Sequence, residues 1–393
     1  MFTDVKKGLI TFVITKKLKL NIHTIIDSNF DQLSVKQLKG RYITNAHILP
    51  LLQILPYGFT HEILGHSEQG KPIYGVSFGS GALKILAWSQ MHGNESTCTK
   101  AIFDAIFALE PLGLVSLSEQ ITLQIIPILN PDGAECYTRL NSNAVDLNRD
   151  AKNLTQSESQ LLSRIFYSFQ PNFCFNMHDQ RTIFSAGNQP KPATVSFLSP
   201  SENKKRTITP TRRTAMAIIN QINTVLQSYI PDQIGRYSDE FNSNCVGDLF
   251  QSKGVPTVLF EAGHFEADYN REVTRKFILM AFLEALISIT HGIPTQNIDR
   301  DYHNIPENEP HFFDVLIRNA FSENDQVDSP QDIGIMFEET LVGADIHFVP
   351  KIKVKGDLHH CFGHQTIDAQ GQHLSENSDG SFKIGNETLK ISI

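Results

Sequence analysis

The sequence predicts an α/β fold: a mixed, mostly parallel sheet with helices on both faces, followed by a small β-rich C-terminal domain. Three observations support this prediction. Apolar strand patterns alternate with helical patterns between residues 59 and 291. A polar stretch with three prolines and no apolar period follows at 292–311. Short alternating apolar runs then occupy residues 312–393.

The composition is that of an ordinary globular protein that can bury a sizeable core, with 393 residues, 40% hydrophobic and 19% charged. A formal net charge of −8 argues against nucleic acid or a membrane surface as a partner. The apolar run 9–14 is too short for a signal sequence or a membrane span, so we expect a cytoplasmic protein. The chain has five cysteines: Cys98, Cys136, Cys174, Cys245 and Cys361. Because their number is odd, they are scattered and no two form a CxxC pair, we expect no disulfide framework.

The elements can be assigned in chain order. Residues 21–58 have a helical pattern, and 59–81 have the pattern of two strands joined by a turn at Gln69 and Gly70. Strands and helices then alternate, with helix 96–109 showing apolar residues four apart, as on a helix that covers a sheet. The remaining predicted strands are 83–90, 121–130, 171–178 and 255–263, and the remaining predicted helices are 155–169, 211–229 and 269–289.

These patterns divide the chain into four parts. We predict an N-terminal helical extension over 1–58 that packs on the catalytic domain, and a catalytic domain over 59–291. The polar stretch 292–311 is predicted to be a linker, and 312–393 a β-rich C-terminal domain.

Ionisable side chains follow several of the predicted strands at their carboxyl ends, where ligands gather in such sheets. His92 and Glu95 follow the strand 83–90, and His178 ends the strand 171–178. Two imidazoles and one carboxylate form the ligand set of a catalytic zinc ion that keeps a fourth position open for water. Glu261, at the end of a further apolar strand, is then available as the general base.

The segment after the predicted strand 121–130 supplies the remaining candidates. It begins with Asn-Pro-Asp-Gly at 130–133 and continues to VDLNRD at 145–150. Arg139 can stabilise the oxyanion of a tetrahedral intermediate, and Arg149, beside Asn148, can bind a substrate carboxylate through two parallel hydrogen bonds. Asp146 can accept a hydrogen bond from the spare N–H of a ligand histidine.

Each motif alone has an ordinary structural explanation: a helix cap, a turn or a hydrogen-bonded core histidine. Together, HGNE, NPDG, an arginine, VDLNRD, NMH and LFEAG resemble the zinc metallocarboxypeptidase family, of carboxypeptidase A-like fold, over roughly residues 60–290. The resemblance implies zinc ligation by His92, Glu95 and His178, with one Zn2+ per chain. It also implies Glu261 as general base, Arg139 as the carbonyl electrophile, and Asn148 with Arg149 as the carboxylate-binding pair.

The sequence departs from the family pattern in two places, after Arg149 and after His178. Asp150 and Ala151 follow Arg149 where the family has an asparagine and an aromatic residue, so that an acid either weakens the binding of a carboxylate or recognises a basic group. Asp179 follows the third ligand where a serine is usual. The family's mobile tyrosine corresponds by position to Tyr237, whose alternative is a loop aromatic packed on the surface. Three acids in the loop 236–250 would favour a basic substrate residue: Asp239, Glu240 and Asp248.

We therefore expect a zinc-dependent metallocarboxypeptidase that acts on a peptide or peptide-like substrate with a free carboxylate. One alternative keeps the chemistry and changes the substrate: a cytoplasmic amidase that cleaves γ-D-glutamyl-diamino acid bonds in cell-wall peptides. A second alternative is a non-catalytic binding module, which the presence of both the ligand set and the base disfavours.

Overall fold

The structure, a computed structural model, describes residues 22–322, 329–377 and 381–389. The sequence-based assignments for residues 1–21 and for the chain's last four residues therefore lie outside the described residues. Within them, no helix is long and apolar enough to cross a membrane. All five cysteines are free thiols.

An eight-stranded mixed sheet forms the centre of the molecule and confirms the predicted fold class. Its strand order is β1-β2-β4-β3-β5-β9-β7-β8. The four strands β4, β3, β5 and β9 run parallel, while β1, β2 and β7 introduce antiparallel pairs. The strands are β1 Phe59–His66, β2 Pro72–Phe78, β3 Leu83–Ser89, β4 Ile121–Ile126, β5 Phe173–Asp179, β7 Val195–Leu198, β8 Ile234–Arg236 and β9 Thr257–Ala262.

Helices cover both faces of this sheet. Alternate residues of β3 show the division, since Ile85 and Ala87 belong to one apolar cluster whereas Leu86 and Trp88 belong to another. The first cluster includes helices α1, α2, α3, α6 and α8, and the second includes α5 and α7. The helices are α1 22–33, α2 Asn45–Leu52, α3 Thr97–Ala108, α4 Pro131–Cys136, α5 Ser157–Phe169, α6 Pro210–Leu226, α7 Val246–Ser252, α8 Glu272–His291 and α9 Ile298–His303.

A second sheet follows in the C-terminal part of the chain, with order β13-β12-β11-β15-β16-β17 and β14 also paired to β11. A two-stranded sheet joins β6 to β10. The strands are β6 Ser185–Ala186, β10 Asn308–Glu309, β11 Phe312–Ser322, β12 Gln331–Val342, β13 Asp345–Gly356, β14 Phe362–Asp368, β15 His373–Glu376, β16 Phe382–Ile384 and β17 Glu387–Thr388.

The stretch predicted to be a linker contains ordered structure. Helix α9 lies there, and its Tyr302 is fully buried, with the hydroxyl accepting from the backbone N–H of Ser199 at 3.0 Å. The sequence of α9 is mostly polar and so shows no helical apolar pattern. One of its polar residues, Asp299, forms an ion pair with Arg213 of α6. The division into domains remains a prediction, and the described part of the N-terminal extension, 22–58, contributes to the main apolar cluster.

A buried ion pair connects α3, α8 and the loop before α2. Arg275 binds Asp104 through two N–H groups at 2.5 and 2.6 Å, and both side chains are almost fully buried. The same pair binds backbone groups of the loop, since Asp104 accepts from the Val35 N–H and Arg275 donates to the Val35 carbonyl.

We predict that Asp104→Ala lowers the free energy of unfolding by about 3–5 kcal/mol, because it leaves the buried Arg275 charge with only the more exposed Glu272 as an ion-pair partner. Denaturant unfolding measures this change. The matched control is Asp27→Ala, which removes the more exposed Lys276–Asp27 pair and should lower stability by at most about 1 kcal/mol. Equal losses in the two variants would contradict the prediction.

Candidate metal and substrate site

Three side chains converge at the carboxyl ends of β3 and β5. His92 and Glu95 lie in the loop between β3 and α3, and His178 is near the end of β5. The Nδ1 atom of His92 lies 2.8 Å from a Glu95 oxygen, and the Nδ1 atom of His178 lies 2.8 Å from the other oxygen. The two Nδ1 atoms are 3.2 Å apart. Among the described residues, this is the one group of three potential ligands whose ligand atoms all lie within 4.8 Å of one another.

The donor set fits a cation. Asp146 lies 3.1 Å from the Nε2 atom of His92, which favours the tautomer with the proton on Nε2 and an unprotonated Nδ1. That Nδ1 lone pair then faces a carboxylate oxygen and a second imidazole nitrogen in a buried environment. Lone pairs that face one another in this way repel unless a proton or a metal ion lies between them. Two nitrogens and one carboxylate are ligands that zinc accepts.

The charges of the site support the same conclusion. Burial lowers the pKa of His92, but the nearby Glu95 and Asp146 carboxylates outweigh it, so that the pKa is raised overall. Burial alone would raise the pKa of Glu95, yet the two histidines hold it well below its usual range. The pKa of Asp146 is likewise lowered against its burial, by His92 and Arg139. Burial instead lowers the pKa of His178, so positive charge is stabilised at His92, next to the two carboxylates, and not on His178.

Hydrogen bonds from neighbouring segments fix the loop that carries the potential ligands His92 and Glu95. Gln90 donates from its side-chain amide to the carbonyls of Gly93 and Ile43, both at 2.9 Å. Asn130 donates to the Met91 carbonyl and accepts from the backbone N–H of Gly133, which caps α4. The Asn-Pro-Asp-Gly sequence indicates a simple turn. In the structure it forms the capped first turn of helix α4, which packs on the loop that carries His92.

Glu261 and Tyr237 line the same cavity as the three potential ligands. Glu261 lies beside His178 in the parallel register of β5 and β9. Burial, with the charges of Glu95 and Asp179, raises the pKa of Glu261 well above its usual range. Burial and the charge of Glu261 also raise the pKa of Tyr237, whose ring packs edge-on against Phe184.

The arginines predicted from sequence also line this cavity, whose volume is about 690 Å³. Arg139 donates to Glu95 at 3.2 Å and through two N–H groups to Asp146 at 3.1 Å. Arg149 is exposed and donates to the sulfur of Cys245 at 3.1 Å. Asn148 accepts from the backbone N–H of Val246 at 3.0 Å, so that the pair is fixed against the start of α7.

The two departures from the family pattern have structural roles. The Asp150 carboxylate accepts hydrogen bonds from the backbone N–H groups of Thr155 and Gln156 and from the Thr155 hydroxyl, at 2.8–3.0 Å. Asp179 accepts from the backbone N–H and hydroxyl of Thr97 and so joins the end of β5 to the start of α3. Both acids therefore stabilise the loops that carry the candidate site residues.

The three acids of the loop 236–250 differ in whether they can contact a substrate in the cavity. Asp239 binds Arg206 and Arg212 in ion pairs. Glu240 and Asp248 line the cavity, and burial raises the pKa of Asp248 to about 7. A neutral Asp248 would attract a basic substrate residue less than an ionised one would.

Several residues that line the cavity were not identified from the sequence. Arg41 and Arg271 are buried, and Glu339 comes from the second sheet. Arg41 pairs with Glu339 at 3.1 Å, and Arg271 donates to the Gln180 carbonyl at 2.5 Å. These residues occur in no motif, although a buried arginine is itself unusual and points to a charged partner.

Three histidines outside the group of potential ligands, and His264, are either packed against aromatic rings, bound to the backbone or exposed. His264 is buried between the rings of Tyr269 and His364, and neither of its ring nitrogens has a hydrogen-bond partner among the described residues. In the sequence cluster 357–364, His359 and His360 are exposed, and His364 binds the Thr182 carbonyl at 2.8 Å.

Comparison with known proteins finds similarity to one family over part of the chain. Residues 56–227 match the family model of the zinc carboxypeptidases. Carboxypeptidase 2 of Trichophyton rubrum is 27% identical over 139 residues, which are 32% of this chain and 25% of that protein. A provisionally named 6-phosphofructo-2-kinase of Schizosaccharomyces pombe is 30% identical over 152 residues, which are 37% of this chain and 24% of that protein. The chain thus spans about a quarter of the length of these curated relatives.

A solved structure shows the same fold. The crystal structure of a provisionally named carboxypeptidase A from Shewanella denitrificans matches with a TM-score of 0.51 at 15% identity. The match covers 62% of this chain and 68% of that one.

We predict that Gly93→Ala weakens zinc binding by about 10- to 100-fold, the range for loss of a contact that supports a ligand. A Cβ atom at residue 93 would lie 1.9 Å from the backbone carbon of Gly133, so the loop that carries His92 and Glu95 must move. Competition with a chromogenic chelator measures the affinity.

Gly65→Ala is the matched control, because its Cβ would meet only the ends of two side chains, Leu161 at 3.1 Å and Arg164 at 3.6 Å, and no backbone atom within 4 Å among its nearest neighbours. It should retain wild-type affinity. Wild-type affinity in a folded Gly93→Ala variant would refute the proposed dependence on this backbone contact.

Proposed function

We propose that this protein is a zinc-dependent carboxypeptidase, because residues 56–227 match the family model of the zinc carboxypeptidases, which the sequence motifs resemble. It hydrolyses the C-terminal peptide bond of a peptide or peptide-like substrate with a free carboxylate and binds one zinc ion per chain. The observation that carries the proposal is the convergence of His92, Glu95 and His178 in one cavity with Glu261.

The Nδ1 atoms of His92 and His178 and the carboxylate of Glu95 would hold the metal. Asp146 supports this arrangement, because its hydrogen bond to Nε2 directs the Nδ1 lone pair of His92 towards the other two ligands. When bound, zinc lowers the pKa of a coordinated water towards about 7 and polarises a carbonyl oxygen.

Glu261 is the general base and then the general acid. Its carboxylate takes a proton from the attacking water as the oxygen bonds to the scissile carbonyl carbon. It then delivers that proton to the leaving nitrogen as the C–N bond breaks. The products are a carboxylic acid, which then loses the second proton of the water to the amine or to solvent, and a free amine. A raised pKa suits a group that both accepts and donates a proton near neutral pH.

Arg139 stabilises the negative charge that develops on the carbonyl oxygen. A guanidinium has five N–H groups. Three of those on Arg139 bind Glu95 and Asp146, which leaves two for the substrate and fixes the orientation of the group. Donors that are oriented before the reaction stabilise the transition state without reorganisation.

Arg149 and Asn148 bind the terminal carboxylate of the substrate, which makes the protein an exopeptidase. The contacts of this pair with Cys245 and Val246 hold it at the α7 end of the cavity. A planar guanidinium matches a carboxylate through two parallel hydrogen bonds. Tyr237, on the wall of the same cavity, is proposed to contact the bound substrate.

We predict that Glu261→Gln retains one zinc per chain and loses about 10²- to 10⁴-fold in kcat, since it removes the proton-transfer group and keeps the side-chain shape. The matched variant His178→Ala should lose both zinc and hydrolysis, because it removes a ligand. Elemental analysis and peptide hydrolysis are measured on the same samples. Wild-type turnover in Glu261→Gln, or full zinc content in His178→Ala, would refute these assignments.

We predict that Arg149→Met raises KM for peptide acids by about 10- to 100-fold, because a charge-assisted hydrogen-bonded pair is lost. It should leave the slow cleavage of the matching peptide amides unchanged, since these lack the carboxylate. Steady-state kinetics on acid and amide pairs that differ in the last residue measure both effects.

A γ-D-glutamyl-diamino acid peptide belongs in the same series. Its preferential cleavage would favour the cell-wall amidase over the carboxypeptidase. Zinc binding without hydrolysis of any substrate would favour the non-catalytic binding module. Equal cleavage of acids and amides by the wild-type protein would contradict the role of Arg149.

A further inference from the structure

The second sheet forms part of the wall of the catalytic cavity. Met336, Phe337 and Glu339 of β12 and Phe348 of β13 line the cavity together with the candidate catalytic residues. Phe337 and Glu339 are two residues apart and so lie on one face of β12. Glu339 pairs across the strands with Phe348, which puts Phe348 on the same face. These four residues are called the β12–β13 wall.

Buried polar contacts attach this wall to the catalytic part of the chain. Glu339 forms an ion pair with Arg41 at 3.1 Å and accepts a hydrogen bond from the Tyr137 hydroxyl. The Tyr269 ring lies 5.0 Å from the Phe337 ring and 5.3 Å from the Phe348 ring. The Tyr269 hydroxyl donates to Asp314 of β11 at 3.1 Å. Moving the wall away would separate a buried charge pair and leave polar groups unpaired, which is unfavourable.

The β12–β13 wall and the pair Asn148 and Arg149 are held by different neighbouring residues. Arg41, which binds the wall, accepts a hydrogen bond at its carbonyl from Ser96, the residue after Glu95. Arg149 instead contacts Cys245 at the start of α7. No hydrogen bond or ring contact between these two groups occurs among the described residues. If Arg149 binds the terminal carboxylate, the wall borders the acyl side of the scissile bond.

We infer that the β12–β13 wall forms the acyl-side subsite and restricts the protein to short substrates with an apolar residue on that side. This inference rests on the proposed function and specifies its substrate class. Phe337 and Phe348 are half-buried and present apolar ring surface to the cavity. A volume of about 690 Å³ lies within the range of pockets that enclose small molecules, about 300–1,000 Å³. A peptide extended on the acyl side would meet the wall.

The test compares three substrates with the same free C-terminal residue, each blocked at its amino end. Two are dipeptides with phenylalanine or glycine on the acyl side, and the third extends the phenylalanine dipeptide by four residues. The wild-type protein should prefer the phenylalanine dipeptide to the glycine dipeptide by about tenfold in kcat/KM, the scale of one apolar contact. The extended peptide should be cleaved at least about tenfold less efficiently than the phenylalanine dipeptide.

Phe337→Ala and Phe348→Ala should each reduce the phenylalanine preference to within about threefold and improve cleavage of the extended peptide. Phe321→Ala is the matched control, because Phe321 lies on the same sheet, is similarly half-buried and does not line the cavity. It should retain wild-type selectivity. The wild-type length series tests the inference even if one alanine variant fails to fold.

Equal efficiency for the short and extended peptides, or unchanged selectivity in folded Phe337→Ala and Phe348→Ala variants, would overturn the inference and leave the proposed function standing. Absence of hydrolysis of all three substrates by the zinc-loaded protein would overturn the proposed function, and the inference with it. The two failures are therefore distinguishable.

Discussion

Mutual repulsion among three buried groups is the constraint on which the candidate site depends. Two imidazole nitrogens and a carboxylate meet within 2.8–3.2 Å, where little water can screen them. Such an arrangement is stable only with positive charge between its members, as a proton or as a metal ion. Asp146, which fixes the Nε2 proton of His92, makes the metal ion the better solution.

The fold supplies this arrangement because parallel strands end at the same edge of a sheet. The ends of β3, β5 and β9 bring together residues that are far apart in sequence, and the register of β5 with β9 sets Glu261 beside His178. The loops after these strands are fixed by capping and backbone contacts. The acids at 150 and 179, which depart from the family pattern, belong to those contacts.

Much of the fold and of the site could be predicted from sequence, since both depend on local signals. Apolar periodicity identified the long strands and helices, and chemically distinctive residues at strand ends indicated the three potential ligands that the structure brings together. The short strands β7 and β8 were missed because four and three residues are too few to show a period. Helix α9 was missed because one fully buried residue, Tyr302, anchors an otherwise polar segment.

Contacts between distant parts of the chain left no such signal. The pairing of Arg41 with Glu339 joins residues from opposite ends of the sequence, and neither lies in a motif. The aromatic residues of the β12–β13 wall have the alternating pattern of any half-buried strand. Their proximity to the cavity follows from how the second sheet packs on the first, which periodicity does not encode.

The coordination of zinc in the loaded protein tests the central claim most directly. A crystal structure at the zinc absorption edge should show one ion bound to Nδ1 of His92 and of His178, with zinc–nitrogen distances of about 2.0–2.1 Å. A Glu95 oxygen should be the third ligand, with Asp146 still bound to Nε2 of His92. An ion bound through Nε2 of either histidine, or an ion at the exposed His359 and His360 with none at His92, would contradict the account.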